Sequence, residues 1–108
     1  MNIGQIAKMA QQMQAQMAQA QEELKSTTLE ASAGGGAVRI VITGAQEVRS
    51  VEIDPSAVDP DEVEMLQDLV MTAVNEAISR SKELERERMG KIAGGMGLPG
   101  VPGLPGFG

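Results

Sequence analysis

Apolar residues in the first quarter of the chain recur every seven positions. Ile3, Ala10, Met17 and Leu24 form one register, and Ile6, Met13, Ala20 and Thr27 form a second, offset by three. This is the a/d seam of a helix that packs on another helix, narrower than the stripe a helix lays on a sheet. The spacing predicts a helix over 2–26, capped by Asn2 with Gln5 as the reciprocal partner three positions on. Most of the intervening polar positions are Gln, so the helix has little besides its seam to bury and needs a partner stripe.

The period then falls to two. Residues 27–33 begin with β-branched Thr27 and Thr28 and read as a strand. Gly34-Gly35-Gly36 breaks the chain, and residues 37–43 place Val38, Ile40 and Ile42 on one face against Arg39, Val41 and Thr43 on the other. Gly44 to Glu47 reads as a turn and 48–53 as a third strand. Short connections make this a three-stranded antiparallel meander.

Asp59-Pro60-Asp61-Glu62 carries the signature of a helix start, with Asp59 at the N-cap, Pro60 at N1 and Glu62 at N3. No Gly or Pro interrupts Asp61 to Met89, and Gly94-Gly95 reads as the stop. Apolar residues are dense from Val63 to Ile78, enough for a face against a sheet. From Ser79 to Lys91 only Leu84 and Met89 remain, so the distal half is a charged rod. A helix over 60–93 is roughly 50 Å long at 1.5 Å per residue. A compact domain of this size is only about 30–35 Å across. The charged end therefore projects, and the first helix offers the seam to pair with it as an arm. Residues 1–93 form one α+β domain, and 94–108 read as a flexible Gly/Pro-rich tail. Its Gly-X-Y triplets are too few for a collagen helix.

Composition narrows the function. The chain has 108 residues, no Cys and no His, so disulfides, thiolates and the commonest general base and metal ligand are all missing. Asp54, Asp59, Asp61, Glu62 and Glu64 do not match a calcium-loop spacing. The glycine run leads into a strand and not into a phosphate-binding helix. Ser26, Ser32 and Ser50 have no imidazole to activate them. These absences argue against an enzyme and against cofactors, metals or a small-molecule substrate. No signal-peptide pattern or apolar run of membrane-spanning length occurs, which points away from a membrane and towards the cytoplasm. The single aromatic residue is Phe107, and the core must be built from Ala, Val, Ile, Leu and eight Met. So thin a core in so short a chain favours association with a second copy. Met9, Met13 and Met17 lie on or beside the seam, where packing is their ordinary role.

The net charge is −6, but it is segregated. Glu52 to Asp68 holds seven acids and no base, whereas Arg80 to Lys91 holds five bases and three acids. Two readings fit the basic stretch. Glu76–Arg80, Glu87–Lys91, Glu83–Arg86 and Glu85–Arg88 have the spacing of helix-surface ion pairs. Alternatively, Arg80, Lys82, Arg86, Arg88 and Lys91 contact DNA phosphates, with Lys8 and Lys25 on the first helix as secondary contacts. Lys82 and Arg86 share one helix face, and Arg80 and Lys91 another. No aromatic side chain is placed for stacking, which disfavours single strands. A non-catalytic adaptor or recombination accessory factor, using the acidic surface on a basic partner, is the alternative function.

Several segments resemble the YbaB/EbfC family of bacterial nucleoid-associated proteins. They are Lys8-Met9-Ala10-Gln11-Gln12-Met13-Gln14, Gln21-Glu22-Glu23-Leu24 and Val51-Glu52-Ile53-Asp54-Pro55-Ser56. Glu64-Met65-Leu66-Gln67-Asp68-Leu69-Val70, Ala73-Val74-Asn75-Glu76-Ala77 and Gly95-Met96-Gly97-Leu98-Pro99 continue the match in order. The resemblance implies a helix, three strands and a long helix in an intertwined, tweezer-like homodimer. It further implies binding of double-stranded DNA through helical arms, in the nucleoid, with effects on DNA conformation, nucleoid organisation or gene regulation.

Overall fold

The computed structural model describes residues 2–95. The order is α1 (Ile3–Ser26), β1 (Thr28–Ala33), β2 (Val38–Thr43), β3 (Val48–Ile53), a single 3₁₀ turn (Pro55–Ala57) and α2 (Val63–Gly95). Asn2 caps α1 as expected, its side chain accepting a 2.7 Å bond from the Gln5 N–H. The three strands form one antiparallel sheet in the order β1-β2-β3. Each strand lies within a residue of its expected span.

Gly34, Gly35 and Gly36 all take positive φ at the first turn. Gly34 is doubly constrained, since a Cβ there would stand 2.9 Å from Leu69 Cδ2 on α2. The sheet's inner face is Ala31 and Ala33 of β1 with Val38, Ile40 and Ile42 of β2, packed against Ala73 and Ala77 of α2. Small α2 residues let the helix backbone approach the sheet. Leu66, Leu69, Val70, Val74 and Ile78 flank that contact.

One boundary of α2 differs from the sequence reading. The helix starts at Val63, not at Pro60. The Asp59 carboxylate accepts from the Asp61 N–H at 2.9 Å, and the Asp59 carbonyl from the Glu62 N–H at 2.9 Å. The Asp-Pro pair therefore closes a turn of its own and is not available to cap a helix. At the other end, Gly94 and Gly95 lie in the last helical turn, and the helix is described as far as Gly95. The expected tail falls outside the described residues from 96 onward.

The molecule measures 69 × 27 × 16 Å, so α1 and the distal part of α2 do project from the sheet. Their pairing is only partial. Ala20 and Leu24 of the seam are buried, whereas Ile3 is 85% and Ile6 52% exposed. Contact runs antiparallel: Leu24 sits at the β2–β3 turn, Glu23 meets Arg88, and Gln16 and Ala20 share a cleft with Ile92.

A small polar junction sets the direction of both arms. Ser81 Oγ is fully buried and donates to the Thr43 carbonyl at 2.6 Å. It accepts from Gln46 N–H at 3.1 Å and from Gln46 Nε2 at 2.9 Å. The Gly44 N–H is shared between the Leu24 and Thr27 carbonyls, both at 2.9 Å. A Cβ on Gly44 would lie 2.6 Å from Leu24 Cδ2 and 3.2 Å from the Leu24 carbonyl oxygen. The β2–β3 turn is thus tied to α2 on one side and to the end of α1 on the other.

After β3, the Asp54 carboxylate accepts from the Ser56 N–H at 3.0 Å and the Ser56 hydroxyl at 2.9 Å. These bonds hold its pKa below the ordinary 3.8, the backbone bond being the larger cause.

Ser81→Ala leaves the Gln46 donors without their acceptor and should destabilise the fold by about 1–3 kcal/mol in urea titrations. Asp54→Ala should lower stability at neutral pH. Because the folded pKa lies below 3.8, that contribution is full above 3.8 and lost as pH falls through the folded value. The parent and variant stability curves should therefore converge in acid.

Candidate nucleic-acid interface

The seven basic residues singled out in the sequence do not form one patch. Arg80 is engaged in structure: its Nε bonds Glu76 at 2.9 Å and its Nη1 donates to the Glu30 carbonyl on β1 at 3.0 Å. It fastens α2 to the outer edge of β1. Arg88, with a side chain 35% exposed, reaches Glu23 of α1 at 3.7 Å and bridges the two arms. Lys91 pairs with Glu87 at 3.6 Å, and Lys25 with Glu22 at 3.2 Å. The Glu76–Arg80 and Glu87–Lys91 pairs follow the i,i+4 spacing expected. Among the described residues, Glu83–Arg86 and Glu85–Arg88 are not ion pairs; Arg88 turns to α1 instead.

Lys82, Arg86 and Lys8 are exposed and have no carboxylate within ion-pair distance among the described residues. The helix geometry explains the division. At about 100° per residue, Asn75, Ser79, Lys82 and Arg86 lie along one flank of α2. Glu76, Arg80, Glu83, Glu87 and Lys91 lie along the other. The first flank carries no acid from Asn75 to Arg86, and both its cations are free. The second is an alternating, largely self-neutralised surface.

The free flank has a defined direction. Arg80 turns toward β1, and by the same rotation the Lys82–Arg86 side points away from the sheet, opposite the buried Ala73 and Ala77. Lys8 lies on α1 roughly opposite Ile6 and Met13, by the same rotation per residue of about 100°. The split of Lys82 and Arg86 from Arg80 and Lys91 was already legible in the helical spacing; which of them are left unpaired was not. Asn75 and Ser79, which extend the acid-free flank, were missed because they are uncharged; a helical projection of 75–86 would have found them. Two further cations lie on the sheet. Arg49 is held by Glu47 at 3.2 Å and donates to the Lys25 carbonyl at 3.2 Å. Arg39 stands opposite Glu52 on β3 and near Asp54.

The face that α2 leaves bare is apolar. Ile53 and Val51 of β3 pair in register with Val38 and Ile40, and Val48 pairs with Ile42 across a bulge. Those β2 partners are fully buried, whereas Val48, Val51 and Ile53 are 44%, 50% and 38% exposed. The helix lies chiefly across β1 and β2. No helix among the described residues is long and apolar enough to cross a membrane. Nor do those residues bring together a group of carboxylates fit to hold a metal ion.

Comparison with known proteins agrees with this architecture. The model of the YbaB/EbfC DNA-binding family matches residues 1–96. A nucleoid-associated protein of Acetivibrio thermocellus is 52% identical over 101 residues, covering 93% of this chain and 89% of that protein. One from Moorella thermoacetica is 52% identical over 103 residues, covering 93% and 99%. The crystal structure of an uncharacterized protein from Helicobacter pylori superposes with a TM-score of 0.76 at 24% identity, over 85% of this chain and 97% of that one. That likeness concerns the fold. The matched span takes in the whole described structure, and the chain belongs to the YbaB/EbfC DNA-binding family of nucleoid-associated proteins.

Proposed function

We propose that the protein is a non-catalytic homodimer of the cytoplasmic nucleoid that holds double-stranded DNA by its phosphates. Lys82 and Arg86 are the principal contacts and Lys8 an outlying one. The observation that carries this reading is the acid-free flank of α2, where two exposed cations one helical turn apart are left unpaired. Arg80, Arg88, Lys91 and Lys25 already have carboxylate partners and contribute less. Such a site contacts backbone and not base edges, so its affinity is dominated by counterion release.

The second copy joins at β3. Among the described residues its inner face is apolar and partly exposed and its outer edge has no neighbouring strand, while Arg80 and α2 occupy the β1 side. An edge strand with an exposed apolar face is a ready template for a second sheet. Association there sets the projecting arms of the two protomers side by side, each with an exposed Lys82–Arg86 flank, giving the tweezer arrangement. DNA bending, bridging or coating by such a pair would then influence nucleoid organisation and gene regulation.

Duplex binding measured by fluorescence anisotropy should weaken steeply with salt. Lys82→Ala/Arg86→Ala removes four cations per dimer and should reduce the log–log salt slope by about 3–4, at about 0.9 per phosphate. Lys91→Ala should change it far less. Absence of duplex binding by micromolar protein at low salt would refute the reading and favour an adaptor for a basic protein partner. Val51→Glu places a charge on the proposed dimer face. It should give a folded monomer by sedimentation equilibrium with weakened DNA binding; an unchanged dimer would move the interface elsewhere.

A further inference from the structure

Helix α1 leaves most of its apolar seam in water. Ile3 and Ile6 are 85% and 52% exposed, and Met9 and Met17 are 40% and 36% exposed. Helix α2 meets α1 on another side, through Gln16, Gln19, Ala20 and Glu23. A shallow groove lined by Ala10, Met13, Gln14, Met17, Ala18 and Gln21 lies about 140° round the helix from that contact, at about 100° per residue. No other element stands against it among the described residues. Covering such a face removes apolar area from water and is favourable wherever a matching surface exists.

Three features of the groove select its occupant. It is uncharged: from Ile3 to Gln21 the only charged residue is Lys8, which lies about 150° away round the helix. Two copies of a chain with net charge −6 repel over most of their surface, and on this face they meet with no like charges opposed. The groove is also its own complement under a two-fold axis between Gln14 and Met17. An antiparallel second copy sets Met13 against Ala18, Met17 against Gln14 and Ala10 against Gln21, so each Met meets a small or adaptable side chain. A parallel, in-register pair would instead stack Met on Met. Finally, α1 projects from the sheet, so an antiparallel partner lies alongside it with the two sheets at opposite ends.

We propose that α1 is a self-association surface, on which the α1 of a further copy lies antiparallel and joins one dimer to the next. An overlap of about 20 residues gives a strip about 30 Å long and about 10 Å wide. The two sides together cover about 600 Å², half or less of what a stable interface takes. The contact is therefore weak between free molecules and gains strength where several copies are held close together. Lys8, on the far side of α1, stays open to solvent. That the joined units are dimers rests on the β3 interface proposed above; the α1 contact itself rests neither on that interface nor on DNA binding.

Two measurements on the full-length chain, without DNA, test the proposal. The chain has no cysteine, so single introduced thiols report the pairing. A mixture of the Ala10→Cys and Gln21→Cys chains, treated with a short bis-maleimide, should give a band of twice the chain mass on a denaturing gel. Each variant alone should link far less, because like positions stand about 16 Å apart along the antiparallel pair. Stronger linking in the single-variant samples means a parallel pair, and equally weak linking in all three means no pair; either overturns the proposal. In sedimentation equilibrium at rising concentration, Met13→Glu/Met17→Glu opposes like charges across the groove and should weaken formation of the largest species by about tenfold or more. An unchanged association overturns the proposal. The unit that remains in the variant, dimer or monomer, reports separately on the β3 interface.

Discussion

The course of both helical arms depends on one buried hydroxyl. Ser81 Oγ satisfies the Thr43 carbonyl and takes two bonds from Gln46, locking the middle of α2 to the β2–β3 turn. The adjoining Gly44 N–H is held between the carbonyls of Leu24 in α1 and of Thr27, the residue that caps it. Upstream of this junction α2 lies on the sheet through Ala73 and Ala77; beyond it, α2 leaves the sheet and meets α1. The small residues are what make this possible. A larger side chain at 73, 77 or 81 would hold the helix off the sheet, and a Cβ at 44 would collide with Leu24. Where the arms point therefore follows from a contact that includes no charged residue.

The junction also sorts the charges. With α2 fixed in rotation, Arg80 has to face β1 and its guanidinium closes on Glu30. Lys82 and Arg86 are then forced to the opposite flank, away from the acids that neutralise Arg80 and Lys91. A protein with a net charge of −6 can hold a polyanion this way, because the short Debye length at physiological salt of about 8 Å makes local charge count for more than the total. The acids gathered between Glu52 and Asp68 lie on β3, the following turns and the start of α2, before the arm begins.

Much of this was legible in the sequence, for physical reasons that differ by element. The strands were readable because β2 alternates cleanly and three glycines can adopt the positive φ that the turn demands. The cap at Asn2 was readable because its bond is local. The start of α2 misled because Asp59-Pro60 suits a helix N-terminus and a free-standing turn equally well, and a local hydrogen bond decided between them. The seam of α1 correctly announced a missing partner, yet α2 covers only its Ala20–Leu24 end. Which cations remain free was not legible from spacing alone. Arg88 had a carboxylate three residues away and chose Glu23, 65 positions distant in the chain, because packing brought the arms together.

The central claim is that duplex DNA lies along the Lys82–Arg86 flank and not elsewhere on the molecule. A titration of the isotope-labelled protein with a short duplex, followed by amide NMR, tests it residue by residue. The account predicts the largest shifts between Asn75 and Arg86, with smaller ones near Lys8 and little change around Arg39. Shifts concentrated on the sheet at Arg39 and Arg49, with the α2 flank silent, would contradict it.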